Sequence, residues 1–283
     1  MSAIKIVSDG DPYPALAGNP LTNTAARLFP GTTNTFSDQS YNFTFTYRGG
    51  TNSLNPFPVG AGSIGIALNG VIIKGPVSNA STLADIPVAL PMGFQWYTVT
   101  NQSAFFADGC SGFPDSSGRY TYQSGLFLSN GWMGNATLYG CYAYFNSTAF
   151  GVDRFRHADG HSKILGFMFD GYPIYGPYGY TNALISSGGT RQMLSSYRKK
   201  GTPQTGRVYT YAQYATGTFI QDYEYVPNEG TLDEYNGRYC LTPDFPLGTY
   251  AYFLTFETGN LNTPAYPYIA GTSTREQRPV GGT

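Results

Sequence analysis

From Tyr41 the chain alternates cleanly. Tyr41, Phe43, Phe45 and Tyr47 fall on one side of an extended backbone and Asn42, Thr44, Thr46 and Arg48 on the other, the period-two pattern of a half-buried strand. Further on, "IGIALNGVIIKGP" sets Asn69-Gly70 between two apolar runs. This predicts a hairpin with a type I′ turn, whose central residues both need positive φ. The same pattern returns in "LGFMFDGYPIYGP", with Asp170-Gly171 at the turn, 101 residues later (171 − 70). The trailing Ile-x-Gly-Pro is matched at Ile73, Gly75, Pro76 and at Ile174, Gly176, Pro177.

A second phrase follows each hairpin. "DGCSGFPDSSGRYTYQ" from Asp108 and "DEYNGRYCLTPDFPLGTYAYF" from Asp233 align as Asp-x-(Cys/Tyr)-x-Gly, then Pro-Asp, then Gly-x-Tyr-x-Tyr. Tyr120 and Tyr122 thus correspond to Tyr250 and Tyr252. One Asn-Gly hairpin can arise by chance, but an ordered pair of phrases written twice argues for internal duplication. The expected fold is all-β, with two antiparallel units at about 60–150 and 160–258 packed about a pseudo-twofold, sandwich- or barrel-like, with long loops and little helix. The β domain spans 39–283. The second unit carries an insertion around 181–228, where "TRQMLSSYRKK" predicts a short helix. Residues 1–38, rich in Pro, Asn, Thr and Gly, read as an extended arm. Its Ile4, Ile6, Tyr13, Leu16 and Leu28 need cover, which a neighbouring subunit is expected to give.

Composition sharpens this picture. In 283 residues, charged side chains make up 12% while there are 36 Gly, 25 Tyr, 19 Phe and 19 Pro, a balance suited to short strands and turns. A net charge of -1 argues against nucleic acid as partner, and Arg198-Lys199-Lys200 reads as a solvated loop. The first residues lack the basic and apolar regions of a secretory signal, and no run reaches membrane-spanning length, so a soluble chain without membrane insertion is expected. Cys110, Cys141 and Cys240 show no CxxC spacing and read as buried thiols. Such an extracellular-like composition without a signal suits a virion component, assembled in a cytoplasm and then exposed.

The run "DGHSKILGFMFDGYPIYGPYGY", with its two flanking phrases, resembles the YHYH domain, a family of largely unassigned function found in marine bacteria, some eukaryotes and cyanophages. The resemblance covers about residues 60–270. The closing "YPYIAGTSTREQRP" and the earlier "TYRGGT" are most similar to the cyanophage branch, carried as virion structural protein. The family takes its name from a Tyr-His-Tyr-His strand and has further histidines around it. Its five histidine positions correspond here to Phe113, Thr121, Gln123, His161 and Ala251. If those imidazoles form a transition-metal site, the resemblance implies a scaffold that has lost nearly every ligand. A family cysteine corresponds to Tyr235, so the resemblance also implies loss of a disulfide to Cys110.

The remaining candidates are few. "HADGHS" places His157 and His161 four apart with Asp159 between them, but Asp-Gly predicts a turn rather than a metal-binding helix face. Asp170 could serve as ligand or base, yet its turn explains it. There is no Gly-x-Ser-x-Gly elbow, P-loop or HExxH, and "GGTNSLNPFPVGAGSIG" lacks the Lys-Ser/Thr of a phosphate cradle. Neither metal nor other cofactor is expected. Tyrosines at this density suit subunit interfaces or stacking on a host-surface glycan. The sequence reading is a non-enzymatic virion structural protein of the tail, baseplate or another exposed assembly, contacting copies of itself and other virion proteins. The alternatives are a metal-binding or enzymatic family member with a residual site at His157 and His161, and a receptor-binding tail appendage.

Overall fold

The computed structural model describes residues 3–10, 37–59, 62–75, 96–97, 104–105, 112–115, 117–123, 156–201, 216–217 and 219–277. In chain order the strands are β1 (Ala3–Ser8), β2 (Tyr41–Thr46), β3 (Phe57–Pro58), β4 (Ser63–Ala67), β5 (Ile72–Lys74), β6 (Trp96–Tyr97), β7 (Ala104–Phe105), β8 (Gly112–Pro114), β9 (Tyr120–Gln123) and β10 (Ile164–Met168). They continue as β11 (Pro173–Tyr175), β12 (Tyr178–Asn182), β13 (Ile185–Gln192), β14 (Tyr197–Lys199), β15 (Tyr223–Tyr225), β16 (Gly237–Cys240), β17 (Thr249–Phe253), β18 (Phe256–Glu257), β19 (Asn260–Pro264) and β20 (Ser273–Thr274). A 3-10 turn at Ile220–Asp222 is the helical element among the described residues, and no described helix is long and apolar enough to cross a membrane.

The central sheet has the order β16-β17-β11-β10-β4-β5-β9-β8. It reads the same from either end: hairpin β4–β5 answers hairpin β10–β11, β9 answers β17, and β8 answers β16. The pseudo-twofold runs between β4 and β10, which pair antiparallel with Ile66 opposite Phe167. Gly65 and Gly166 mark it. A Cβ on Gly65 would stand 2.6 Å from the Phe167 carbonyl oxygen, and one on Gly166 2.5 Å from that of Ile66, so each copy needs a bare backbone where it meets the other. Each hairpin carries a register shift at the same place, Ser63/Gly65 and Ile164/Gly166.

Two expectations about strand geometry are corrected. The units are not purely antiparallel, because β5 pairs parallel with β9 and β11 parallel with β17. Nor are the hairpin turns type I′. Gly70 N–H donates to Ala67 O and Ala67 N–H to Val71 O, and only the glycine has positive φ; Met168, Gly171 and Tyr172 repeat this arrangement. Each is a three-residue loop ending in a left-handed glycine, which places Asn69 and Asp170 at its middle. The sheet is open, with β8 and β16 as its edges.

Alternation sorts the side chains onto two faces. Ile64, Ile73, Tyr120, Tyr122, Leu165, Ile174, Tyr250 and Tyr252 share one core with Tyr172, Tyr235, Phe256 and Ile269. Each such fully buried side chain contributes about 2 kcal/mol. On the other face Ile66, Ile72 and Phe169 pack under Phe43 and Phe45 of β2, while Tyr175, Ala251, Phe253 and Cys240 pack with Met193 and Leu232.

Part of the expected arm, Ala3–Ser8, is a strand on the chain's own domain. Ala3–Ser8 pairs antiparallel with β2 of the same chain, and Ile4 and Ile6 pack on its own core. The ribbon's ends meet the two turns: a Cβ on Gly70 would collide with Ser8, and one on Gly171 with the Thr46 carbonyl. Tyr13, Leu16 and Leu28 lie outside the described residues. The predicted helix in Thr190–Lys200 is replaced by β13 and β14, since Met193 N–H donates to Pro177 O at 2.7 Å and Leu194 N–H to Thr231 Oγ1 at 2.8 Å. The basic cluster is likewise part of a strand, and Arg198 pairs with Glu224 at 2.9 Å and Glu229 at 3.3 Å. Cys240 is a buried free thiol, and burial pushes it up to about 11; Cys110 and Cys141 lie outside the described residues.

Candidate functional site: tyrosine–carboxylate pairs and the His161 pocket

The two Tyr-x-Tyr strands carry their rings into one core, and each hairpin turn reaches over to bond the second ring. In the first copy Asn69 Nδ2 donates to Tyr122 Oη at 2.8 Å. In the second, Tyr252 Oη donates to Asp170 Oδ2 at 2.7 Å. Both turn residues also accept from the amide two residues on, Asn69 from Val71 and Asp170 from Tyr172. Local turn chemistry and a long-range lock thus occupy the same side chain.

The second copy adds charge. Asp170 is fully buried, and desolvation pushes its carboxyl up to about 6 despite the Tyr252 hydroxyl, the amides of Tyr172 and Glu276, and Arg48. The segment after β20 closes over it: Arg275 N–H donates to Tyr252 Oη at 2.6 Å, Glu276 N–H lies 3.3 Å from Asp170 Oδ2, and Arg48 pairs with Glu276 at 3.4 Å. Arg275 lies 4.8 Å over the Tyr250 ring and 3.7 Å from Asp233, whose Oδ1 accepts from Tyr250 Oη at 2.9 Å. Burial raises Asp233 as well.

The other face holds the histidines. His157–His161 is a tight turn closed by His157 N–H to His161 O at 2.8 Å, with Gly160 at φ 90°. His161 is wholly buried among the rings of Tyr175, Tyr180 and Phe253. Its Nδ1 lies 2.7 Å from the Ser162 carbonyl, which can only accept, so the proton sits on Nδ1 and the unpartnered Nε2 keeps its lone pair. Burial pushes this imidazole down, toward the neutral form. Asp159 accepts from His161 N–H at 3.0 Å and from Tyr180 Oη at 2.5 Å; these bonds outweigh desolvation and hold it below the usual range. His157 Nε2 stands 3.5 Å from Asp244, which also accepts from Tyr175 Oη at 3.0 Å.

The positions marked by the family resemblance do not meet at one point. Thr121 lies on β9 opposite Phe113 of β8, with Gln123 at the end of β9, while Ala251 lies on β17 opposite Arg238. Five strand steps separate β9 from β17, about 24 Å along the sheet. His161 belongs to the β17 side, against Phe253. Among the described residues no three of His, Cys, Asp or Glu gather as a metal centre. Sequence reading missed Arg48, Arg275, Glu276 and Arg238. Asp233 was visible only as the first letter of the duplicated Asp-x-x-x-Gly phrase.

Fold and site together define a duplicated all-β protein whose halves are locked by tyrosines bonded to turn side chains. The chain belongs to the YHYH family: that family's model, described as YHYH protein, matches residues 42–264. No curated protein and no solved structure matches the chain.

Proposed function

We propose that the protein is a non-enzymatic structural component of a phage virion, in the tail, baseplate or another exposed assembly, contacting copies of itself and other virion proteins. One observation carries the non-catalytic part. Asp159, Asp170, Asp233 and Asp244 each accept a hydrogen bond from a tyrosine hydroxyl, from Tyr180, Tyr252, Tyr250 and Tyr175 respectively. Carboxylates so engaged hold the fold and are poorly placed to take a substrate proton. The resemblance of the closing segment to the cyanophage branch supports the virion part, as do exposed apolar side chains such as Val7, Leu68 and Leu247, which suit covered contacts. The test is mass spectrometry of purified particles from a phage encoding the chain, followed by tracing it in a particle map. Stoichiometric presence is expected, and absence from particles overturns the reading.

A second reading, a residual metal site, has the buried lone pair of His161 Nε2 in its favour. Elemental analysis decides it: one equivalent of zinc, copper or iron, lost in His161→Ala, replaces the first reading with this one.

A further inference from the structure

Arg238 differs from Arg48, Arg198 and Arg275. Its Nη2 donates to the Tyr180 carbonyl at 2.7 Å, and its guanidinium lies 5.6 Å over the Phe253 ring. Its Nε is buried without an acceptor. Among the described residues Arg48, Arg198 and Arg275 each face a carboxylate, but Arg238 has none. Asp159 and Asp244 of the neighbouring His161 pocket are held by Tyr180 and Tyr175 instead.

A second guanidinium comes to the same place. Arg191 of β13 is directly opposite Gly179 of β12, and opposed residues in an antiparallel ladder project to the same face. A Cβ on Gly179 would stand 2.8 Å from Arg238 Nη2, 3.1 Å from Phe253 and 3.2 Å from Met193. Arg191 therefore projects from the face of the ribbon on which Arg238 lies. Arg191 is exposed, whereas Arg238 is half-buried beneath the ribbon. Burial lowers the Arg238 pKa, the neighbouring Cys240 thiol partly opposes this, and Arg191 adds to the lowering; the thiol, itself raised to about 11, is neutral and supplies no counter-charge.

We propose that Arg191 and Arg238 form a binding site for an oxyanion, a carboxylate, sulfate or phosphate group. Two planar donor forks suit such a group, and Arg238 Nε–H gives it a donor that the protein leaves unused. The ligand is either a free inorganic anion or an acidic group carried on a sugar. The inference does not depend on the virion reading, since it concerns a guanidinium that no described carboxylate faces.

The experiment titrates the full-length protein with sodium sulfate, sodium phosphate or glucuronate against chloride at matched ionic strength, following arginine Nε–H resonances. A saturable shift of the Arg238 resonance is expected with sulfate or phosphate and not with chloride. Arg191→Ala, at an exposed position, should weaken binding about tenfold with folding intact. Tighter binding of glucuronate than of sulfate identifies the sugar-borne group; binding of the inorganic anions alone identifies the free anion. No saturable shift with any of the three, or unchanged affinity in Arg191→Ala, overturns the proposal.

Discussion

The two halves of the sheet solve one problem with different chemistry. Both pin the second tyrosine of a Tyr-x-Tyr strand from the middle residue of a hairpin loop. The first does so with the neutral, half-exposed Asn69, the second with the fully buried Asp170. Only the second is closed by the C-terminal segment and Arg48. The duplication thus keeps a bond between turn and strand, while charge is an addition of one copy. That addition sets a titrating group at a position where the first copy has a neutral amide.

The largest expected contrast is in pH dependence. The folded-state value of Asp170 lies near 6, above the ordinary 3.8, so between these values the folded protein binds more protons than the unfolded chain. Stability contributed by Asp170 therefore falls as pH rises through that window, by about 3 kcal/mol, with no change below or above it. Asp170→Asn, which copies the first half, should flatten this component in urea unfolding measured at intervals from pH 4 to pH 7. An unchanged difference between the two pH limits would show that Asp170 is not its source.

A smaller effect separates the tyrosines. Tyr252→Phe leaves a buried carboxylate and the Arg275 amide each short of a partner, and should cost about 2 kcal/mol. Tyr122→Phe removes the acceptor of half-exposed Asn69 rather than a partner of a buried charge, at about 1 kcal/mol. Equal losses would erase the distinction between the halves. The smallest effect belongs to Asn69→Asp: the new carboxylate sits at a half-exposed position and keeps water on one side, so thermal unfolding at pH 7 should report a change below about 1 kcal/mol.

The duplication was legible because it is written in local phrases. Asn69-Gly70 and Asp170-Gly171 each sit between apolar runs, and the tyrosines alternate with small residues. The turn type was not legible, since an Asn-Gly pair serves a two-residue loop and a three-residue loop with a terminal left-handed glycine alike. Pairing direction was hidden too: β5 meets β9 and β11 meets β17 across long intervening stretches, where local pattern carries no information. Thr190–Lys200 misled because Met193 and Ser196, three apart and both buried, imitate a helical face within two strands and their connection. Arg48, Arg275 and Glu276 carry no local signature at all; only the closed fold brings them to Asp170.

The β1–β2 ribbon has a consequence for how the molecule is made. Ala3–Ser8 leaves the ribosome before the Gly70 loop on which its end rests, and its partner strand ends on the still later Gly171 loop. Arg48 N–H donates to Gly171 O at 3.0 Å, a bond that cannot form until the second hairpin has been synthesised. The nascent chain must therefore hold Ile4, Ile6, Phe43 and Phe45 incompletely covered, with Ile66 and Ile72 but without Phe169, until the second hairpin emerges. Such non-local closure is slow, and chaperone demand and aggregation in that interval should centre on β1 and β2.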